Sequence, residues 1–141
     1  RLLSRFAEHG RGILLGTTSF WEGVDVPGYP LRGLIIQKLP FRVPTEPITA
    51  ARMEAVERAG GDAFQQYMLP HAALRLKQGF GRLIRSRTDR GAVLILDDRI
   101  VSKRYGRYLR DSLPDAPFIK GAWSDVRRRL GAFYGTTGVS M

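Results

Sequence analysis

The residues best suited to chemistry lie in one run, Gln78-Gly-Phe-Gly-Arg-Leu-Ile-Arg85. Arg82 and Arg85 are three apart, and Gln78 and Arg82 are four apart. On a helix, residues at these spacings share one face. One glutamine amide and two guanidiniums then present many hydrogen-bond donors in a fixed fork. Such a fork suits a transferring phosphoryl group, whose negative charge spreads over its oxygens. Gly79 and Gly81 each cost about 1 kcal/mol relative to Ala inside a helix. Two of them beside an arginine suggest close approach to a ligand or to another backbone. The competing reading is a solvated basic helix face, which needs neither the glycines nor the glutamine.

A second run, Gly16-Thr-Thr-Ser-Phe-Trp-Glu-Gly-Val-Asp-Val-Pro-Gly28, directly follows an apolar segment. Open α/β sheets bind ligands in loops at the carboxyl ends of their strands. Thr17, Thr18 and Ser19 carry hydroxyl and backbone donors suited to sugar-phosphate contacts. Phe20 and Trp21 could stack or pack, and Asp25 could accept from a ribose hydroxyl or an arginine. An ordinary polar loop anchored by its Trp is the alternative.

Some chemistry is absent. The chain has no G-x-x-x-x-G-K-[ST] phosphate cradle and no magnesium-binding strand end of the Asp-Glu-x-His type. Asp97-Asp98 follows a strand, and salt links to Arg99 or Arg104 are the expected use of that pair. There is no cysteine, so thiolate catalysis, disulfides and cysteine-ligated metals are excluded within these residues. His9 and His71 stand far apart without acidic partners, so no metal site is expected.

The elements that must position these groups follow from apolar runs and breakers. Leu2 to Glu8 reads as a helix closed by Gly10. Gly12 to Gly16, Leu34 to Leu39 and Ala92 to Leu96 read as strands buried on both faces. Thr17 to Pro30 reads as a long loop. Pro40, Pro44 and Pro47 forbid regular structure until about Ile48. Thr49 is the expected cap of a helix to Ala59, ended by Gly60-Gly61. Asp62 is the expected cap of the next, with Gln65 at the capping-box position and a break at Pro70. Helix resumes through Ala72, Leu76 and Phe80 to Ile84. Ser102 to Leu113 reads as amphipathic, with Tyr105, Tyr108 and Leu109 on one side, and Ser124 to Phe133 as a basic helix. Short apolar strands alternating with helices indicate a parallel α/β sheet flanked by helices.

The formal net charge is +10. Residues 1–74 hold 8 Lys/Arg against 7 Asp/Glu, and residues 75–141 hold 15 against 6. An excess so concentrated is the electrostatic footprint of a polyanion partner, or else a solvated basic surface. No apolar run approaches the roughly 18 residues of a membrane span. The sequence has no initiator Met and reads as a piece of a longer protein.

Together these residues resemble the second RecA-like domain of superfamily 2 DNA helicases of the DinG/XPD type, from about Gly12 to Pro114. Gly16 to Gly28 resembles helicase motif V, and Gln78 to Arg85 resembles motif VI, Q-x-x-G-R-x-x-R. Lys38-Leu-Pro-Phe41, Leu69-Pro-His-Ala72 and the stretch from Asp89-Arg-Gly91 to Leu96-Asp-Asp-Arg99 look like the bacterial DinG branch. The resemblance implies a RecA-like (P-loop NTPase-like) lobe over residues 1–134, truncated and without a Walker A loop, followed by a flexible tail at 135–141.

It also implies a motor that moves 5′→3′ along single-stranded DNA, driven by ATP. Arg85 would be the arginine finger, with Arg82 and Gln78 assisting as catalytic residues. Glu22, Gly23, Asp25 and Gly81 would lie on the nucleotide side, and Thr17, Thr18 and Ser19 on the DNA side. ATP and Mg2+ would be held mainly by the family's first RecA-like domain, which in several members also carries an iron–sulfur cluster; this chain carries none. The implied location is cytoplasmic, with no membrane partner. Two other readings remain open: a stand-alone nucleic-acid-binding module, and a degenerate regulatory lobe without an ATPase role.

Overall fold

Gly33 to Ile36 and Ala92 to Ile95 pair in parallel, with Gly33 opposite Ala92 and Ile36 opposite Ile95. The structure is a computed structural model that describes residues 2–17, 31–84 and 90–135. In chain order its elements are α1 (Leu2–His9), β1 (Gly33–Ile36), α2 (Pro47–Arg58), a π-helical turn (Phe64–Met68), α3 (Leu69–Leu83), β2 (Ala92–Ile95), α4 (Arg99–Ser102), α5 (Arg104–Asp111) and α6 (Trp123–Tyr134). A parallel pair needs a long crossover, and the helical segment from α2 to α3 supplies it. The expected parallel sheet flanked by helices is therefore present.

The core forms where α3 and α5 meet the sheet. Leu69, Ala72, Ala73 and Leu76 of α3 bury one stripe at three- and four-residue spacing against Ile36, Leu39, Ile100 and Leu109. Leu76 and Leu109 are fully enclosed.

Several sequence expectations need correction. Gly12 to Gly16 is no strand. Among the described residues nothing pairs with it, and Ile13 and Leu15 are 90% and 87% exposed. Its apolar run marks a segment that wants cover, but cover alone does not make a ladder. Burial on both faces also fails for β1, where Ile35 is 66% exposed. Both strands are shorter than expected, and beyond β1 Leu39 has left the ladder and gives its N–H to a side chain.

The cap of α2 is Glu46, not Thr49, with Pro47 in the first turn. A proline there forfeits an N–H that would be orphaned anyway. Thr49 is instead fully buried, its hydroxyl 3.4 Å from the Glu46 carboxylate. Asp62 does cap as expected, accepting the Gln65 N–H at 3.0 Å.

Pro70 breaks nothing. The Leu69 N–H reaches back five residues to the Phe64 carbonyl, so the turn before Pro70 is π-helical. The widened turn accommodates a ring that would otherwise crowd the carbonyl four residues earlier.

The amphipathic helix expected over Ser102 to Leu113 is α5, Arg104–Asp111; Ser102 instead ends the separate α4, and the two part at Lys103, whose φ of −99° and ψ of 147° are extended. Tyr105 and Leu109 face inward, whereas Tyr108 is 48% exposed.

Candidate functional site

The direction of α3 decides what its polar groups can reach. Near its start, Phe64 stacks on Phe41, which follows β1, with centroids 5.7 Å apart, and Tyr105 closes the trio at 5.2 Å from Phe64. At its end, Leu83 packs on Gly91, which precedes β2. A Cβ on Gly91 would stand 2.7 Å from Leu83 Cδ1 and 2.9 Å from the Arg32 carbonyl oxygen. The helix therefore runs antiparallel to the strands, and its C-terminus lies at their N-terminal edge.

At that end, Gln78 is exposed, Gly81 is exposed, and Arg82 is half-buried. Among the described residues nothing lies within 4 Å of where a Gly81 Cβ would point. Gly79, by contrast, is buried on the core side. Of the two glycines read as close-approach positions, only Gly81 borders open space. Among the described residues Arg82 makes no ion pair. Gln78, Gly81 and Arg82 thus share the last two turns of one helix. That helix ends at Leu83. Ile84, at φ −114° and ψ 102°, has already left it. The helical spacing that would align Arg82 with Arg85 ends at Leu83, and Arg85 itself lies outside the described residues.

The DNA-side and nucleotide-side candidates Thr18, Ser19, Glu22, Gly23 and Asp25 also lie outside the described residues. Thr17 is the last described residue before them and is exposed.

The opposite edge of the sheet is held by Asp97. Its carboxylate accepts the Leu39 N–H at 2.8 Å and a fork from Arg99, Nε at 2.9 Å and Nη2 at 2.6 Å. The Arg99 guanidinium also lies 5.6 Å from the Phe41 ring centre. These donors, Arg99 foremost, hold the Asp97 carboxyl down at about 2 against the opposing effect of burial. The salt link expected for the Asp97-Asp98 pair is therefore made by Asp97 and Arg99. Asp98 is exposed.

On α3, His71 sits edge-on to Tyr67 at 4.6 Å. Burial, then Arg42 and Arg75, lower its pKa. Among the described residues no group of three or more His, Cys, Asp or Glu could hold a metal ion. No helix there is long and apolar enough to cross a membrane.

Sequence reasoning missed the residues that finish the N-terminal edge. The Tyr134 hydroxyl accepts the Ala92 N–H at 3.0 Å and donates to the Arg32 carbonyl. Arg90 donates to the Phe133 carbonyl at 3.0 Å and lies over the Phe133 ring. The only sequence signal was a Phe-Tyr pair before a helix-stopping Gly135.

A profile described as helicase C-terminal domain matches residues 1–116. The chain is 50% identical over 117 residues to the ATP-dependent DNA helicase YoaA of Escherichia coli, covering 83% of this chain and 18% of that protein. It is 52% identical over 102 residues to the ATP-dependent DNA helicase DinG of Photobacterium profundum, covering 72% and 15%. It is 46% identical over 114 residues to the 3′-5′ exonuclease DinG of Bacillus subtilis, covering 81% and 12%. The chain thus spans less than a fifth of the length of these relatives.

Proposed function

The chain belongs to the helicase C-terminal domain family, and on that premise we propose that it is the second, RecA-like motor lobe of an ATP-dependent DNA helicase. The observation that carries the reading is the end of α3. Gln78 and Arg82 stand there beside an unfilled Gly81, and Arg82 has no carboxylate partner among the described residues. A guanidinium and an amide sharing one helix face at the rim of a lobe are suited to a phosphate arriving from outside.

In this mechanism a first lobe grips ATP, and this lobe completes the site only when the two close. Arg85 is the finger on the γ-phosphate, and Arg82 and Gln78 assist or sense the nucleotide. Fixed donors aimed at developing negative charge stabilise the transition state, and an arginine finger is worth roughly 10³–10⁵ in rate. Magnesium would arrive with the nucleotide on the first lobe. With no cysteine, this chain offers no thiolate to an iron–sulfur cluster. Glu22, Gly23 and Asp25 serve the nucleotide side, and Thr17, Thr18 and Ser19 the DNA backbone. Closure then shifts that loop along single-stranded DNA, 5′→3′. Contacts to backbone phosphate are sequence-tolerant and weaken with salt.

The test is Arg85→Ala in the full-length protein. DNA-stimulated ATP hydrolysis should be lost while nucleotide binding largely persists. Loss of binding with turnover preserved at saturating ATP would count against the finger. The isolated lobe should neither hydrolyse ATP nor unwind DNA, and robust ATPase activity from it would contradict the assignment.

A further inference from the structure

Helix α6 begins at Trp123, beyond the last residue that matches the family profile, yet it docks against the same sheet edge that receives the end of α3. Its C-terminus is the reason. The last carbonyls of a helix lack internal partners and carry the negative end of its dipole. Gly135, in the left-handed region at φ 76°, stops α6 there. Arg90 then donates to the Phe133 carbonyl, and the Arg32 guanidinium lies 5.1 Å from the Tyr134 ring centre. Two cations are thereby recruited to the anionic helix end.

The hydroxyl of Tyr134 does something more specific. It bridges the Arg32 carbonyl and the Ala92 N–H, which also bond each other at 3.1 Å. This three-way knot fixes where both strands begin. Gly91, the residue before Ala92, is held so tightly against Leu83 that a methyl group would not fit. Arg82 is the residue before Leu83. A contiguous path therefore runs from the hydroxyl through Ala92, Gly91 and Leu83 to the Arg82 backbone.

We propose that Tyr134 is a positioning residue: from a helix outside the family match, it fixes the strand starts and so sets where Arg82 points. The inference rests on the motor-lobe reading above. It also assigns α6 a part in coupling rather than in stability alone.

The test is Tyr134→Phe in the full-length protein, which keeps the ring over Arg32 and removes the hydroxyl. DNA-stimulated kcat should fall about five- to tenfold, with KM for ATP changed less than about twofold. In an Arg82→Lys background the same change should cost less than about twofold, because the group being positioned is already altered. Arg90→Met, which leaves the hydroxyl in place, should show the same pattern more weakly and keeps the test open should Tyr134→Phe fold poorly. An unchanged kcat, or an equal loss in both backgrounds, would overturn the positioning role. Full activity of Arg85→Ala would instead sink the motor-lobe reading, so the two failures are distinguishable.

Discussion

The Asp97 carboxylate accepts the Leu39 N–H across 58 residues of chain, at 2.8 Å and in a buried setting. One side chain thereby ties the segment leaving β1 to the segment leaving β2. Leu39 needs this partner because it has left the ladder while staying 4% exposed, where an unpaired N–H costs about 1–3 kcal/mol.

Asp97→Ala should lower the lobe's stability by about 3 kcal/mol, since it strands that N–H and the Arg99 guanidinium together. Asp97→Asn, which retains an acceptor oxygen, should cost clearly less. Urea denaturation of the two variants measures the difference, and equal losses would refute the role given to the Leu39 bond.

Stability should also fall in acid through this group. The Asp97 carboxyl is held at about 2 in the folded lobe against 3.8 as its ordinary value. Its contribution is therefore present above about pH 4 and is lost as pH falls toward 2, amounting to about 2 kcal/mol. The denaturation midpoint of Asp97→Asn should be less pH-dependent across that window, and parallel profiles for variant and wild type would contradict it.

His71 should act at a higher pH. Its folded pKa lies below 6.5, through burial and the charges of Arg42 and Arg75. Protonation is thus harder in the folded state, and stability should decline as pH falls through 6.5. His71→Gln should flatten the profile between pH 7 and 5; an unchanged slope would show that the decline comes from elsewhere.

Gly106 lies where α5 crosses the end of α4. A methyl group there would meet the Ile100 carbonyl oxygen and stand 2.7 Å from that of Arg99. Backbone cannot yield as a side-chain tip can, so Gly106→Ala should destabilise by about 3 kcal/mol. Gly81→Ala meets open space among the described residues and, lying within α3, should stabilise by up to about 1 kcal/mol. Thermal unfolding of the pair gives the comparison, and a tolerant Gly106 would refute the packing argument.

What was legible in the sequence was local. The α3 stripe, the Asp62 cap, both paired strands and the Asp97–Arg99 link all follow from spacing or adjacent charge. The errors arose where distant chain decides. Gly12 to Gly16 is as apolar as a strand but has no neighbour to pair with among the described residues. Pro70 reads as a breaker until a π turn absorbs it. Tyr134 is 102 residues from Arg32, and no periodicity announces a hydroxyl that closes a sheet edge.

The π turn before Pro70 also sets an angular phase. The Leu69 N–H bonds the Phe64 carbonyl five residues back, so one residue deleted between Phe64 and Met68 would let the same bond close an ordinary α-helical turn. The later side chains of α3 would then keep nearly the bearing they have. Each residue of an α-helix advances the chain by about 100°, so a deletion inside α3 itself would instead rotate everything after it by about that angle. The core stripe and the Gln78–Arg82 side cannot both keep their bearings after such a change. The five-residue segment is thus the place where the helix can lose a residue and still bury its leucines and aim its arginine.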